Sequence, residues 1–183
     1  MTSTSSNSII MIPANVNDFQ VMAKSKLSKA LYEYLASGTD DEQTLAENIQ
    51  AFKGWYLRPR VMKSVDNLTT ETYLFGRRTS MPVFCSPAGV HALFDEQHGE
   101  CATARACERS GILFGLSQHS TCSIEQVAEA APKAHKFYQA YILKDRQMTL
   151  RLVRRAVTAG YDGIFLTVDS VRFGYREADA RNG

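Results

Sequence analysis

Between Pro82 and Val168 the chain alternates four short β-branched or aromatic runs with amphipathic helical stretches, and that alternation narrows the fold to a parallel sheet or a barrel. Phe137-Tyr138-Gln139-Ala140-Tyr141-Ile142-Leu143 reads as a strand ending at the polar turn Lys144-Asp145-Arg146. Arg146 to Ala159 then sets Met148, Leu152, Val153, Ala156 and Val157 mostly on one helical face, with Gly160 as the stop signal. Gly163-Ile164-Phe165-Leu166-Thr167-Val168 follows as a buried strand. Two strands flanking one helix call for a right-handed βαβ crossover.

The same rhythm extends towards the N-terminus. Ile112-Leu113-Phe114-Gly115-Leu116-Ser117 predicts a strand, and Ser123-Ile124-Glu125-Gln126 opens a short helix through Ala131 with a capping box. Pro82-Val83-Phe84-Cys85-Ser86-Pro87 is the first strand of the series, followed by a helix from Glu96 to Ser110 closed by Gly111. The first eighty residues are organised differently. Residues 1–15 are Ser- and Thr-rich at their start and predict a disordered tail. Asn17-Asp18-Phe19-Gln20 can cap a helix carrying Phe19, Met22 and Leu27. Leu31, Tyr34 and Leu35 continue a helical pattern to Gly38, and Thr44 to Phe52 predicts a further helix. Together they form a helical lead-in.

Chemistry concentrates near the end of the chain, in Leu166-Thr167-Val168-Asp169-Ser170-Val171-Arg172-Phe173-Gly174-Tyr175-Arg176-Glu177. A hydroxyl and a carboxylate alternate at the end of a strand, and a loop then carries two arginines. In α/β proteins, strand C-termini are where ligands bind. Taken alone, the run reads equally well as an ordinary strand followed by a solvated charged loop.

Several separated motifs recur in one order: Ala36-Ser37-Gly38, Thr44-Leu45-Ala46-Glu47-Asn48, Arg58-Pro59-Arg60, Gly99-Glu100 with Ala102-Thr103-Ala104-Arg105-Ala106, Gln139 with Tyr141, Lys144-Asp145-Arg146, Leu166-Thr167-Val168-Asp169 and Arg176-Glu177-Ala178-Asp179. In these the chain resembles the FMN-dependent 2-hydroxy-acid oxidases and dehydrogenases, the group of glycolate oxidase and lactate oxidase, from about Val16 to its last residue. The resemblance implies an α/β fold: a TIM (β/α)8 barrel with FMN at its C-terminal face. Such barrels take about 250 residues. Residues 16–183 are therefore expected to be the family's domain truncated after about four β/α units, the first half of the barrel behind its helical lead-in.

On the substrate side the resemblance assigns Tyr34 to the substrate carboxylate, Tyr141 to the substrate hydroxyl and Arg176 to the carboxylate, for which a planar guanidinium fork is well suited. On the cofactor side it points to Pro87, Ala88 and Gly89 after the first strand, Ser117 after the second, Gln139 in the third and Thr167 in the fourth. Asp169 is similar to the carboxylate that orients the family's catalytic histidine. Judged without the family, each tyrosine reads as a core aromatic with a satisfied hydroxyl, and Ser117 and Thr167 read equally well as local backbone caps. The family's base histidine, a second substrate arginine, a flavin lysine and the phosphate loops belong to later strands. His91, His98, His119 and His135 all precede that base. His119 stands where glycolate oxidase-like members carry tryptophan, which bears on chain-length preference, and Tyr175 stands where several relatives carry arginine.

Composition agrees with a globular enzyme: 44% hydrophobic, 22% charged, net charge +2. That balance argues against nucleic acid or a membrane surface as partner, and no apolar run is long enough to span a bilayer. Cys85, Cys101, Cys107 and Cys122 lack C-x-x-C spacing, so neither a disulfide framework nor a metal site is expected. Gly115-Leu116-Ser117-Gln118-His119 lacks the second glycine of a hydrolase nucleophile elbow. The expected parent is thus an FMN-dependent (S)-2-hydroxy-acid oxidase acting on a glycolate- or lactate-type substrate. Oxygen or a quinone is its expected electron acceptor, peroxisome or cytoplasm its location, and a homo-oligomer its assembly. The chain by itself is expected to be inactive, and the rival reading is a non-catalytic half-barrel or interaction module.

Overall fold

The computed structural model describes residues 12–170 and 172–183. In chain order the helices and strands are α1 (Val16–Lys26), α2 (Lys29–Ala36), α3 (Gln43–Gln50), β1 (Thr72–Leu74), β2 (Arg77–Thr79), β3 (Phe84–Ala88), α4 (Gly99–Ser110), β4 (Leu113–Leu116), α5 (Ile124–Ala130), β5 (Lys136–Ala140), α6 (Arg146–Thr158), β6 (Gly163–Leu166) and α7 (Glu177–Asn182). They fall into two bodies, residues 57–173 and residues up to 56 together with 174–183.

In the body of residues 57–173, β3, β4, β5 and β6 form one parallel sheet in sequence order. Consecutive parallel neighbours joined by helices are what the alternation predicted, and they match a partial α/β barrel. Strand side chains alternate between two faces. On one face Phe114 and Leu116 of β4 and Tyr138 and Ala140 of β5 join Ala104 and Cys107 of α4, Ile124 and Val127 of α5 and Ala156 of α6 in a buried core. On the other face Phe137 stacks on Phe165 with ring centroids 4.6 Å apart, and Phe75 lies 4.8 Å from Phe137.

Phe75 comes from an element the sequence reading missed, the antiparallel hairpin β1–β2. Its turn residues, Phe75 at φ 48° and Gly76 at φ 81°, both occupy the left-handed region. A two-residue hairpin needs that conformation, but Phe-Gly lacks the Asn or Asp that usually announces it. The hairpin is fastened by Arg77, whose guanidinium donates to both carboxylate oxygens of Asp162 at 2.9 and 2.8 Å. A second unanticipated feature is Lys136. It is 1% exposed at the start of the inner strand β5, with Nζ donating to the carbonyls of Ala131 and Ala134 at 2.8 and 3.1 Å. Burial lowers its pKa.

Helix boundaries follow local chemistry. The Ser123 box closes as predicted: Ser123 Oγ accepts from the Gln126 amide at 3.1 Å while Gln126 Oε1 accepts from the Ser123 amide at 2.7 Å. Asp145 caps α6 by accepting from the amides of Gln147 and Met148. The helix expected from Glu96 begins only at Gly99, whose φ of 47° bars extension towards the N-terminus. The strand expected from Phe137 to Leu143 is shorter, ending at Ala140.

In the other body the expected tail lies, up to residue 11, outside the described residues. Its last residue, Asn15, is the N-cap of α1, not Asn17: Asn15 Oδ1 accepts from the Asn17 amide at 2.8 Å, and Asp18 Oδ2 accepts back from the Asn15 amide at 3.2 Å. The helical pattern running on to Gly38 is interrupted at Leu27, which turns extended, and Ser28 caps a separate α2. None of α1, α2, α3 and α7 contains a buried residue. Polar ties hold the body together, among them Asn182 Nδ2 to Glu33 Oε2 at 2.7 Å and the Asp40 amide to the Tyr175 carbonyl at 3.0 Å.

Candidate active site

At the C-terminal ends of β4, β5 and β6 the strand tips are linked by one row of hydrogen bonds. The backbone amide of Gln118 donates to Gln139 Oε1 at 3.0 Å, and Gln139 Nε2 donates to Thr167 Oγ1 at 2.7 Å. Because the hydroxyl of Thr167 accepts from Gln139, its own proton is left to donate. The backbone amide of Tyr141 donates to the side-chain oxygen of Gln118 at 2.8 Å. Gln118 carries no sequence signal of its own, since nothing in a lone glutamine after a strand announces this contact.

The expected cofactor residues thus fall into two groups. Gln139 and Thr167 are brought together by the row. Ser117 is buried, and its Oγ accepts from the His119 amide at 3.1 Å, the local capping that was the alternative reading, with the O–H left to donate. Pro87 and Ala88 lie on β3 where the register shifts between Cys85 and Ala88, a bulge in which a proline's missing N–H is tolerated. The Pro87 ring packs over Gly115, where a Cβ would come within 2.8 Å of it. A Cβ on Gly89 would lie 2.9 Å from the His119 carbonyl, so this glycine permits the β3 loop to close on the β4 loop. The next residue completes that closure: the Val90 amide donates to the same carbonyl at 3.1 Å, with Val90 held at φ 58°.

Of the expected substrate residues, Tyr141 stands beside His119, their ring centroids 5.2 Å apart. Tyr34 and Arg176 meet in the other body, although 142 positions separate them in the chain. The Arg176 guanidinium carbon lies 5.3 Å from the centre of the Tyr34 ring, and its NH2 donates to the Tyr34 carbonyl. Nε donates to Asp179 Oδ2 at 2.6 Å and NH2 also to Ser37 Oγ at 3.3 Å. The fork is thereby oriented by its own helix and by the end of α2. Asp169 is exposed, and its carboxylate makes no hydrogen bond or ion pair among the described residues.

The loops behind the strand tips are joined by Glu100, a residue that sequence motifs flagged without a role. Its fully buried carboxylate accepts from the amides of His91 at 3.0 Å, Thr121 at 3.0 Å and Cys122 at 2.9 Å, and from the Thr121 hydroxyl at 2.7 Å. Burial alone would push the carboxyl up, but these four hydrogen bonds outweigh it and hold its pKa at about 2. Among the described residues no group of His, Cys, Asp or Glu side chains is arranged to hold a metal ion, and no helix is long and apolar enough to cross a membrane. The four cysteines are free thiols.

Residues 23–183 match the family model for FMN-dependent dehydrogenases. The chain is 46% identical over 167 residues to 2-hydroxyacid oxidase 1 of Homo sapiens, covering 91% of this chain and 45% of that protein. It is 44% identical over 168 residues to glycolate oxidase of Spinacia oleracea, covering 92% of this chain and 45% of that one. It therefore spans just under half the length of these relatives. Among solved structures, mandelate oxidase with 3,3-difluoro-2-hydroxy-3-phenylpropionic acid superposes with a TM-score of 0.86 at 34% identity, over 91% of this chain and 50% of that one.

Proposed function

The chain belongs to the FMN-dependent dehydrogenase family, and on that premise we propose that the protein carrying it oxidises a small L-2-hydroxy acid of glycolate or lactate type to the 2-oxo acid, with FMN as cofactor. The observation that carries the reading is the row of amide and hydroxyl groups across the tips of β4, β5 and β6. These groups suit the polar edge of a flavin ring. Thr167 offers its hydroxyl proton, Gln139 keeps a second Nε2–H, and Ser117 can donate as well. With Ala88 and Gly89, preceded by Pro87, they are the residues that would hold FMN. When bound, FMN supplies the acceptor for the two electrons that leave the substrate.

The chain's own side chains have the remaining roles. Arg176 and Tyr34 take the substrate carboxylate, the arginine through a charge-assisted fork already aimed by Asp179 and Ser37. Tyr141 hydrogen-bonds the substrate hydroxyl. Asp169 orients the base that receives the hydroxyl proton, and no histidine of this chain is that base. Oxygen or a quinone then takes the electrons onward, and the whole protein works as a homo-oligomer in peroxisome or cytoplasm. Residues 16–183 are read as one part of the family's catalytic domain.

The test is to prepare the whole protein, record its flavin absorbance, and mix it without oxygen with glycolate, L-lactate or L-mandelate. Bleaching of the flavin by an L-acid, and not by its mirror image where one exists, is the expected result. A protein that binds no flavin, or whose flavin none of these acids reduces, would fit the non-catalytic reading instead.

A further inference from the structure

We propose that Gln118 is a positioning residue for this reaction, holding Tyr141 in place through its side-chain carbonyl. The inference rests on the functional reading above, in which Tyr141 meets the substrate hydroxyl.

A backbone amide has one part to play in a hydrogen bond. It only donates, so the Gln118 side-chain atom 2.8 Å from the Tyr141 nitrogen has to be oxygen, and the carboxamide's orientation follows from chemistry. The same reasoning orients Gln139, whose Oε1 receives the Gln118 amide at 3.0 Å. β4 ends at Leu116, and its chain turns away, with the Ser120 amide donating to the Ser117 carbonyl at 3.1 Å. Tyr141, the residue just beyond β5, is left without a strand neighbour on that side. Gln118 fills the gap by sending its side-chain carbonyl where the next β4 carbonyl would have stood. A partly buried amide without that partner would carry a desolvation penalty or move to find another.

The adjacent residue completes the arrangement. His119 packs its ring against the Tyr141 ring at 5.2 Å, so consecutive residues grip the tyrosine by its main chain and by its side chain. Gln118 meanwhile reaches Gln139 through its own backbone amide, which no side-chain substitution removes. The two links can be separated by mutation. Loss of the side chain frees Tyr141 and leaves Gln139, the cofactor-facing residue, as it was.

Holoenzyme variants Gln118→Leu and Gln118→Glu test this. Gln118→Leu is expected to slow flavin reduction about 3- to 10-fold, the scale of one neutral hydrogen bond, with FMN affinity unchanged. Gln118→Glu keeps an acceptor for the Tyr141 amide and is expected to restore the reduction rate, while its added charge raises KM for the anionic substrate. In a Tyr141→Phe background Gln118→Leu should cost nothing further, because a residue acting through the tyrosine's hydroxyl has nothing left to position. Hydrogen exchange at the Tyr141 amide, measured without substrate, should accelerate in Gln118→Leu and stay slow in Gln118→Glu. Unchanged reduction and exchange in Gln118→Leu, or a full additional loss in the double variant, would overturn the role. A wild-type protein that holds no reducible flavin would overturn the functional reading itself, whereas the exchange measurement would still report on the contact.

Discussion

The body that carries the parallel sheet and the body that carries Arg176 are built on different physical terms. In the first, hydrophobic side chains of three helices and two strands share one dry core, and even its charged groups, Glu100 and Lys136, are buried and fully bonded. In the second, no residue of its four helices is buried, and caps, an αL-rich loop and polar ties hold the pieces together. Of the groups assigned to the cofactor Ser117 and Gln139 are buried, whereas the arginine assigned to the substrate carboxylate is aimed by exposed and half-exposed polar partners.

The largest effect should come from the body with the buried core. Glu100→Ala leaves three backbone amides and a hydroxyl without their acceptor, and a loss of about 3 kcal/mol or more is expected in urea denaturation. The wild type should reveal the same clamp through acid. A carboxyl whose folded pKa is about 2, against an ordinary 4.5, contributes its full stabilisation above pH 4.5 and loses it as pH falls towards 2. That contribution is on the order of 3 kcal/mol, and an acid titration of stability in which Glu100→Ala is as steep as wild type would break the assignment.

Next in size is a change that should touch function and spare the fold. Arg176→Met is expected to lower kcat/KM for the 2-hydroxy acid about 100-fold, the scale of a charge-assisted contact, with both turnover and affinity falling. Because its helix buries nothing, thermal unfolding of the sheet body should stay where it was. A matching fall in overall stability would mean the two bodies are less different than their packing indicates.

Paired cap substitutions sharpen the contrast at about 1 kcal/mol each. Ser123→Ala removes a box at the edge of the core and should lower the stability of the whole sheet body. Asn15→Ala removes the equivalent box on α1 and should appear only as faster hydrogen exchange within Val16–Lys26. The smallest effect is expected at Glu125. Its carboxyl is also held at about 2, chiefly by the Arg155 guanidinium at 2.7 and 2.8 Å, but both partners are half exposed. Glu125→Gln should cost less than about 1 kcal/mol and the difference should vanish in high salt. Both carboxyls are held low, and burial separates what each contributes.

Most of the sheet body was legible before any coordinates. The four strand runs, the Ser123 box and the stop at Gly111 are local patterns written in consecutive residues, whereas of the expected α6 face only Ala156 is buried and Met148 and Val157 are exposed. The β1–β2 hairpin was not legible, because Phe75-Gly76 adopts its turn without the usual Asn-Gly or Asp-Gly signature. The break at Leu27 was hidden for a related reason: a hydrophobic period continues across it, and only the extended backbone reveals that Ser28 starts a new helix.

For the site, the sequence marked Ser117, Gln139, Tyr141 and Thr167 together with Tyr34 and Arg176 through its resemblance to the family. What only the tertiary structure decided is which of them touch. Gln139 meets Thr167 across 28 positions, Arg176 meets Tyr34 across 142, and Gln118 joins Tyr141 across 23. It also decided that Glu100 and Lys136 are buried, although their charges alone would place them at the surface. The physical reason is the same throughout. Periodicity and capping are set by neighbours in the chain, whereas a buried charge or a side chain completing another strand's ladder depends on partners that only folding delivers.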